Sequence, residues 1–96
     1  MKKFMLLHIG FEKPTPEIME KWKSWFKSIA DVTIENIGLG PNAKEINHSG
    51  SKNIPFDAQA ITGCSIIKAE NMEEAEKLVQ GNPFITSIQI HEIREH

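Results

Sequence analysis

The chain has 96 residues, of which 40% are hydrophobic and 25% charged, and its formal net charge is −2. This length predicts one domain, 1–96, and the scattered lysines and arginines argue against a nucleic-acid partner, which needs a concentrated basic patch. The single cysteine, Cys64, cannot form an internal disulfide. No apolar run approaches the roughly 20 residues of a membrane span, so we expect a cytoplasmic protein without a membrane partner.

The first two elements are predicted to be a strand and an amphipathic helix. Residues 3–10 form a short apolar run that ends in glycine, which is typical of a buried strand. Thr15 is a natural N-cap and Pro16 suits the first position of a helix of about fourteen residues. Its apolar residues recur at helical spacing: Ile18, Trp22, either Trp25 or Phe26, and Ile29.

The rest of the chain predicts three further strands, a short hairpin strand and a second helix. Apolar and polar residues alternate over 31–42, with a one-step slip that indicates a bulge or a bend near Asn36. Residues 43–59 are polar and read mostly as loop, with a short strand around 44–47 that could pair in a hairpin. Residues 60–70 are predicted to be a strand that is buried on both faces. Asn71 is predicted to cap the second helix. Apolar and polar residues alternate over 85–95, which predicts the last strand.

The element order β-α-β-β-α-β predicts an α+β fold, a ferredoxin-like antiparallel sheet with both helices on one face. If Met5, Leu7 and Ile9 face the helices, the other face of the sheet is uncovered and half apolar. A face of this kind predicts a homodimer that packs sheet against sheet and encloses a cavity. The uncovered face is expected to carry Phe4, Leu6, His8, Gln89, His91 and Ile93.

Several stretches, taken in order, resemble the YCII-related family, including its DGPF-type branch. They are "MKKFMLL", "PTPE", "IGLGP", "GCSIIKAENMEEAEKLVQGNPF" and "IQIHEIRE". The resemblance covers nearly the whole chain and implies a dimeric α/β barrel, like that of small monooxygenases and muconolactone isomerase. It implies no defined activity, since most members have none assigned. A few relatives are associated with dechlorination of aromatic intermediates, and others are fused to transcription factors.

The chain departs from the family pattern at two places. Part of the family has a proposed catalytic histidine–aspartate pair, whose histidine lies early in the first helix, where this chain reads "PEIMEKW". Asp31 matches the aspartate in a loose register. Where the DGPF branch carries its tetrapeptide, this chain has 53–56, "NIPF", followed by Asp57. The family's pair therefore does not carry over intact.

His8 is the leading candidate for chemistry. A neutral imidazole in a pocket can transfer protons near pH 7, with Asp31 as an orienting carboxylate. The alternative is a buried histidine that is simply hydrogen-bonded to a backbone or hydroxyl group. By its place in the strand, His8 is expected nearer to Ser87 or Gln89 than to His91.

Each of the other candidate site residues also has a simpler, structural interpretation. Ser87, Gln89 and His91 would bind substrate in the cavity, although His91 also reads as an exposed polar residue of a strand. Asp31 most simply ends the first helix, and its catalytic role is implied by the family resemblance alone. Cys64 is expected to be an inert, protonated thiol.

Two functions from different classes follow from these patterns. The first is small-molecule binding in a dimer cavity with acid–base chemistry of the lyase or isomerase kind. The second is a non-catalytic dimer that binds a ligand or a protein. No cofactor is expected, because no phosphate-binding, nucleophile-elbow or dinucleotide motif occurs, and no metal is expected, because the histidines and Cys64 lack ligand spacing. The segment 38–57 is either a lid over the cavity or a surface hairpin.

Overall fold

The computed structural model describes residues 1–94. Residues 95 and 96 lie outside the described residues. Residue 95 ends the predicted strand 85–95, and residue 96 ends the predicted domain. The first half of the chain forms β1 (Lys2–Ile9), α1 (Pro16–Ser28), a 3-10 helix (Ala30–Val32) and β2 (Thr33–Gly38). The second half forms β3 (Lys44–Asn47), β4 (Gly50–Asn53), β5 (Ile61–Ala69), α2 (Met72–Leu78) and β6 (Ser87–Glu92).

Four of the strands form one antiparallel sheet in the order β2-β5-β1-β6, while β3 and β4 form a separate hairpin. β1 is central: its Leu6 pairs with Ser65 of β5 and with Ile90 of β6. The register between β2 and β5 shifts between Thr33 and Glu35, close to the bulge predicted near Asn36. The predicted α+β class is therefore confirmed, with a four-stranded antiparallel sheet and two helices.

Both helices pack on the same face of this sheet and close one hydrophobic core. The fully buried side chains of Phe4 and Leu6 lie there together with Ile67 of β5. α1 contributes Trp25 and Ile29 to the core, and α2 contributes Ala75.

The predicted orientation of β1 was wrong. Phe4, Leu6 and His8 were expected on the uncovered face, but all three are buried beneath the helices. From Phe4 to Ile9 both sets of alternate residues are apolar apart from His8, so β1 alone does not reveal which set faces inward. A one-residue difference in orientation moves every side chain of a strand to the other face.

The open face of the sheet carries the strand residues that alternate with the buried ones. Gln89 and His91 lie on it and are exposed, as predicted, whereas Ile93 is half-buried beyond the end of β6. The expectation that β5 is buried on both faces was wrong, because only alternate residues of β5 are buried. The half-buried apolar side chains of the open face are Met5, Leu7, Ile9, Cys64 and Ile66.

The molecule is a flat plate, with extents of 41 × 40 × 18 Å. Its radius of gyration is 14.5 Å, against the roughly 12.5 Å typical of a compact domain of this length. The small third extent is that of one helix layer on one sheet. Neither helix within residues 1–94 has the length and apolar character needed to cross a membrane.

Candidate functional site

The helix α1 supplies an aromatic wall above the sheet. It begins at the predicted cap, where the Ile18 backbone N–H donates to Thr15 Oγ1 at 3.2 Å. Trp22 and Phe26 are one turn apart on the face toward the sheet, and their ring centroids are 5.6 Å apart. Trp25 is buried beside them, and its Nε1–H donates to the Leu78 carbonyl at 3.1 Å, which ties α1 to α2.

His8 lies beneath this wall, near the end of β1, and is 6% exposed. Its Nε2 shares a hydrogen bond of 3.0 Å with Ser65 Oγ on the neighbouring strand. The rings of Trp22 and Trp25 approach the imidazole edge-on, with centroids 5.2 and 5.7 Å away. The other ring nitrogen, Nδ1, is buried and has no hydrogen-bond partner among residues 1–94.

Two glycines lie beside the imidazole of His8, and one of them, Gly38, opens onto empty space. Gly38, Gly63, His8 and Ile88 are paired in sequence across the four strands, so their side-chain positions share the helix-covered face. A Cβ on Gly63 would lie 2.8 Å from the Ile37 carbonyl oxygen and 3.8 Å from His8 Cδ2. Gly63 therefore allows the close approach of β2, and a Cβ on Gly38 would meet nothing within 4 Å.

The space is a cleft of about 340 Å³ that we call the His8 cleft. Its lining includes His8, the rings of Trp22 and Phe26, and the two glycines. The exposed side chain of Asn36 on β2 also lines it. A volume of a few hundred Å³ with mostly apolar walls and a few polar groups is typical of small-molecule sites.

Burial lowers the pKa of His8 from 6.5 to about 4, because the imidazolium would lose most of its hydration in these surroundings. At pH 7 the imidazole is therefore neutral. A neutral imidazole has one donor and one acceptor nitrogen. Which of the two roles falls to Nδ1 depends on whether Ser65 donates to Nε2 or accepts from it.

The His8–Ser65 pair is not arranged as a nucleophile with its base. Ser65 is 1% exposed and lies behind the imidazole, so its hydroxyl does not line the cleft. Its role is to fix the ring of His8. A metal site is not formed either, because the described part of the chain contains no group of three or more His, Cys, Asp or Glu side chains able to hold an ion.

Asp31 does not join this site. It lies in the exposed 3-10 helix two residues before Thr33, which pairs with Ile67, the partner of Phe4. His8 is four residues further along β1, a separation of roughly 13 Å along the strand. The two residues predicted to act together therefore lie toward opposite ends of the sheet.

The three predicted substrate-binding residues lie together but away from His8. Ser87 and Gln89 pair with Ile9 and Leu7, so they lie on the open face, as does His91. His91 Nε2–H donates to Gln89 Oε1 at 2.9 Å. The nearest residue of β6 to His8 across the sheet is Ile88 rather than Ser87 or Gln89.

Sequence reasoning missed Ser65 and the two glycines. Ser65 follows the β-branched pattern of its strand and carries no motif that marks it. The glycines did hold a signal, since a glycine inside a strand weakens it and often marks a close approach of backbone or ligand. Only the pairing of β2 with β5 shows that Gly38 and Gly63 are neighbours.

A second cleft of comparable size, about 360 Å³, lies between the sheet and the β3–β4 hairpin. It is lined by exposed apolar residues, including Leu39, Ile54 and Ile61. Its lining contains none of the buried polar atoms that lack a partner within the described chain. We therefore place the candidate site at His8. The remaining unpaired polar atoms belong to Asn82, which does not line the His8 cleft.

Comparison with known proteins adds no assignment, because no protein-family model matches the chain and no curated protein is similar to it.

Proposed function

We propose that the protein binds a small molecule in the His8 cleft and works as a homodimer. The observation that carries the proposal is the cleft of about 340 Å³, which is lined by the neutral imidazole of His8 and the rings of Trp22 and Phe26 and has open space at Gly38. A space of this size with mostly apolar walls and a few polar groups is typical of small-molecule sites.

Acid–base chemistry on the bound compound is the second candidate function. His8 would be its proton-transfer residue, since it alone among the lining residues 8, 22, 26, 36–38, 62 and 63 titrates in the relevant range. Asp31 lies toward the other end of the sheet, and within residues 1–94 the side-chain partner of the imidazole is Ser65 rather than a carboxylate. A histidine of lowered pKa is also a weak base. Both points favour binding over catalysis.

The proposed dimer uses the open face of the sheet. Strand order β2-β5-β1-β6 and two helices on one side support the ferredoxin-like topology, and two such sheets packed face to face make the dimeric α/β barrel of the proposal. Membership of the YCII-related family and a cytoplasmic location belong to the same proposal. Ser87, Gln89 and His91 would then lie within the dimer, as groups that contact a second ligand or the partner copy.

The large exposed area of the chain as a whole supports a partner copy. The chain exposes 7016 Å², about a quarter more than the roughly 5,600 Å² typical of a folded monomer of its mass. A standard interface covers about 800 Å² on each partner. The half-buried apolar side chains Met5, Leu7 and Ile66 on a flat sheet are the kind of surface that a second copy covers.

The test is a screen of small aromatic and aliphatic compounds by ¹H–¹⁵N NMR, read at the two indole N–H signals. Trp22 lines the cleft, whereas Trp25 is bonded to Leu78 and serves as the internal reference. We expect a binding compound to shift the Trp22 signal well beyond that of Trp25. Trp22→Phe and Trp25→Phe assign the two signals.

Two glycine variants locate the binding. Gly38→Val extends a side chain into the open space of the cleft, and Gly40→Val makes the same change where a Cβ also meets nothing within 4 Å but outside the cleft lining. We expect binding to be lost in Gly38→Val and kept in Gly40→Val. Equal binding by both variants would place the ligand elsewhere, and absence of any binding compound would refute the proposed function.

A further inference from the structure

We propose that each copy of the homodimer places its Glu35 carboxylate against Lys3 and Lys68 of the partner subunit. The inference rests on the proposed function and names the contact that sets how the two copies fit together. Three features of the open face lead to it: a pair of lysines without a counterion, one carboxylate close to them, and an apolar surface beside both.

The open face carries two lysines that stand directly opposite each other on neighbouring strands. Lys3 of β1 pairs with Lys68 of β5, and both side chains are exposed. Like charges in directly opposite positions destabilise a sheet. The ion pairs within residues 1–94 are Lys2–Glu92, Lys23–Glu20 and Lys52–Glu45, at 3.5, 3.7 and 3.6 Å. The lysine pair takes part in none of them, so its charge is available to the partner copy.

The same face carries one carboxylate. Glu35 of β2 is exposed and pairs with Ile66, which lies on the open face beside Met5. Among the paired residues of the four strands that the structure describes, Glu35 is the one acidic side chain on this face, because Glu92 pairs with Phe4 and shares the covered face. Glu35 is also absent from the ion pairs of the described chain. The open face therefore presents both signs of charge.

The strand register gives the separation between the two charge sites. Lys68 follows Ile66 by two residues on β5, so the lysine pair lies about 7 Å further along the strands than Glu35. The centre of the pair, between β5 and β1, lies about 7 Å across the sheet from β2. Glu35 is thus roughly 10 Å from this centre within one copy, whereas a copy that faces the sheet can place a carboxylate directly above it.

Opposite charges on one face make that face self-complementary. In a two-fold dimer the same patch serves both copies, so the contact between Glu35 and the partner's lysines occurs twice. The axis lies midway between the two charge sites, and by the strand spacing it passes near Ile66 and between Met5 and Leu7. These half-buried apolar side chains then form the centre of the interface, with the ion pairs at its rim.

The alternative use of Glu35 is a diagonal bond within its own copy. Lys68 stands diagonal to Glu35 on the neighbouring strand, a spacing that long side chains can bridge. Such a bond would stabilise the folded monomer and contribute nothing to association. The experiment therefore measures association and unfolding separately.

Sedimentation equilibrium at low salt gives the dimer dissociation constant. We expect Glu35→Lys and Lys68→Glu each to raise it at least about tenfold, because each brings like charges together at both symmetric contacts. Glu76→Lys and Lys21→Glu make the same charge changes on exposed positions of α2 and α1, on the other side of the sheet. These two controls should leave the dissociation constant within about twofold of the wild type.

A charge-swapped variant distinguishes pairing from general damage. Glu35→Lys combined with Lys3→Glu and Lys68→Glu reverses all three charges, so each contact again joins opposite signs. We expect its dissociation constant to return to within about threefold of the wild type. Salt should weaken the wild-type and charge-swapped dimers alike, because exposed ion pairs are screened. Urea unfolding of each variant at low protein concentration measures the stability of the monomer.

The outcomes separate the inference from the function beneath it. If Leu7→Lys breaks the dimer but Glu35→Lys and Lys68→Glu leave it unchanged, the open face is the interface and the inferred ion pair is wrong. If the charge-swapped variant does not recover association, or Glu35→Lys lowers only the stability of the monomer, the inferred pair is again wrong. If the wild type stays monomeric or dimerises without the open face, the proposed dimer itself fails.

Discussion

The helix-covered face of the sheet and its open face share the apolar strand β1, yet they surround its side chains very differently. Leu6 is fully buried against the helices, and its neighbour Leu7 is half-buried on the open face. On the covered face the imidazole of His8 is held neutral, while on the open face the imidazole of His91 is exposed. The layer that covers a strand residue therefore sets its chemistry more than its residue type does.

The largest expected effect comes from the same truncation on each face. Leu6→Ala should lower the free energy of unfolding by about 3 kcal/mol, because it leaves a cavity in a closed core. Leu7→Ala should cost about 1 kcal/mol under conditions where the protein is monomeric, since its site is partly solvated. Urea unfolding at low protein concentration measures both. Equal losses would contradict the assigned orientation of β1.

A charge on the open face should break the dimer. Leu7→Lys places an ammonium in the proposed interface and should raise the dimer dissociation constant about 100-fold, or about 2.7 kcal/mol. Ile46→Lys is the control, because Ile46 lies in the β3–β4 hairpin and is 80% exposed. Sedimentation equilibrium distinguishes the 10.9 kDa chain from a dimer. A wild-type protein that stays monomeric would remove the dimer from the account.

Acid should destabilise the covered face through His8. Its folded-state pKa of about 4 lies below its ordinary 6.5, so the unfolded chain binds the proton more readily between these values. The free energy of unfolding should therefore fall as pH drops from 6.5 to 4, with no contribution from His8 above 6.5. We expect about 2 kcal/mol, discounted because the cleft admits water.

The measurement is urea unfolding at pH 7 and pH 4.5 for the wild type and for His8→Phe. Carboxyl groups titrate in both proteins, so the difference between the two pH dependences reports His8. His8→Phe should show the smaller loss in acid. The same loss in both proteins would mean that His8 is not held neutral by burial.

The last comparison is between the two glycines beside His8, of which Gly38 should show the smallest effect. Gly63→Ala should lower the free energy of unfolding by about 1–3 kcal/mol, because its Cβ would press against the Ile37 carbonyl oxygen. Gly38→Ala should change it by less than about 0.5 kcal/mol, because its Cβ meets open space. Thermal unfolding measures the pair. A large loss in Gly38→Ala would show that the cleft is not open there.

The elements could be predicted from the sequence because each has a local signal. Thr15 and Asn71 cap their helices as expected, since their side chains accept from Ile18 N–H and Glu74 N–H. The hairpin strand β3 was also foreseen at its observed place. Such signals depend on a few neighbouring residues, and the tertiary structure leaves them intact.

The site could not be predicted in full because it depends on pairing between strands. The one usable clue to orientation lies in β6, where Ile88 and Ile90 alternate with Gln89 and His91. The observed register joins Ile88 to His8 and thereby turns His8 toward the helices. Nothing in the sequence of β1 alone specifies this register. The distance between His8 and Asp31 follows from the same pairing.

NMR of the His8 imidazole tests directly whether His8 is a neutral group in a ligand-binding cleft on the covered face. Long-range ¹H–¹⁵N spectra would be recorded from pH 4 to 8 with and without a compound that shifts the Trp22 signal in the screen, with His8 assigned from the His8→Phe spectrum. We predict that His8 stays neutral down to about pH 5 and that the compound shifts its ring ¹⁵N signals. An imidazole that titrates near 6.5 and ignores the compound would contradict the account.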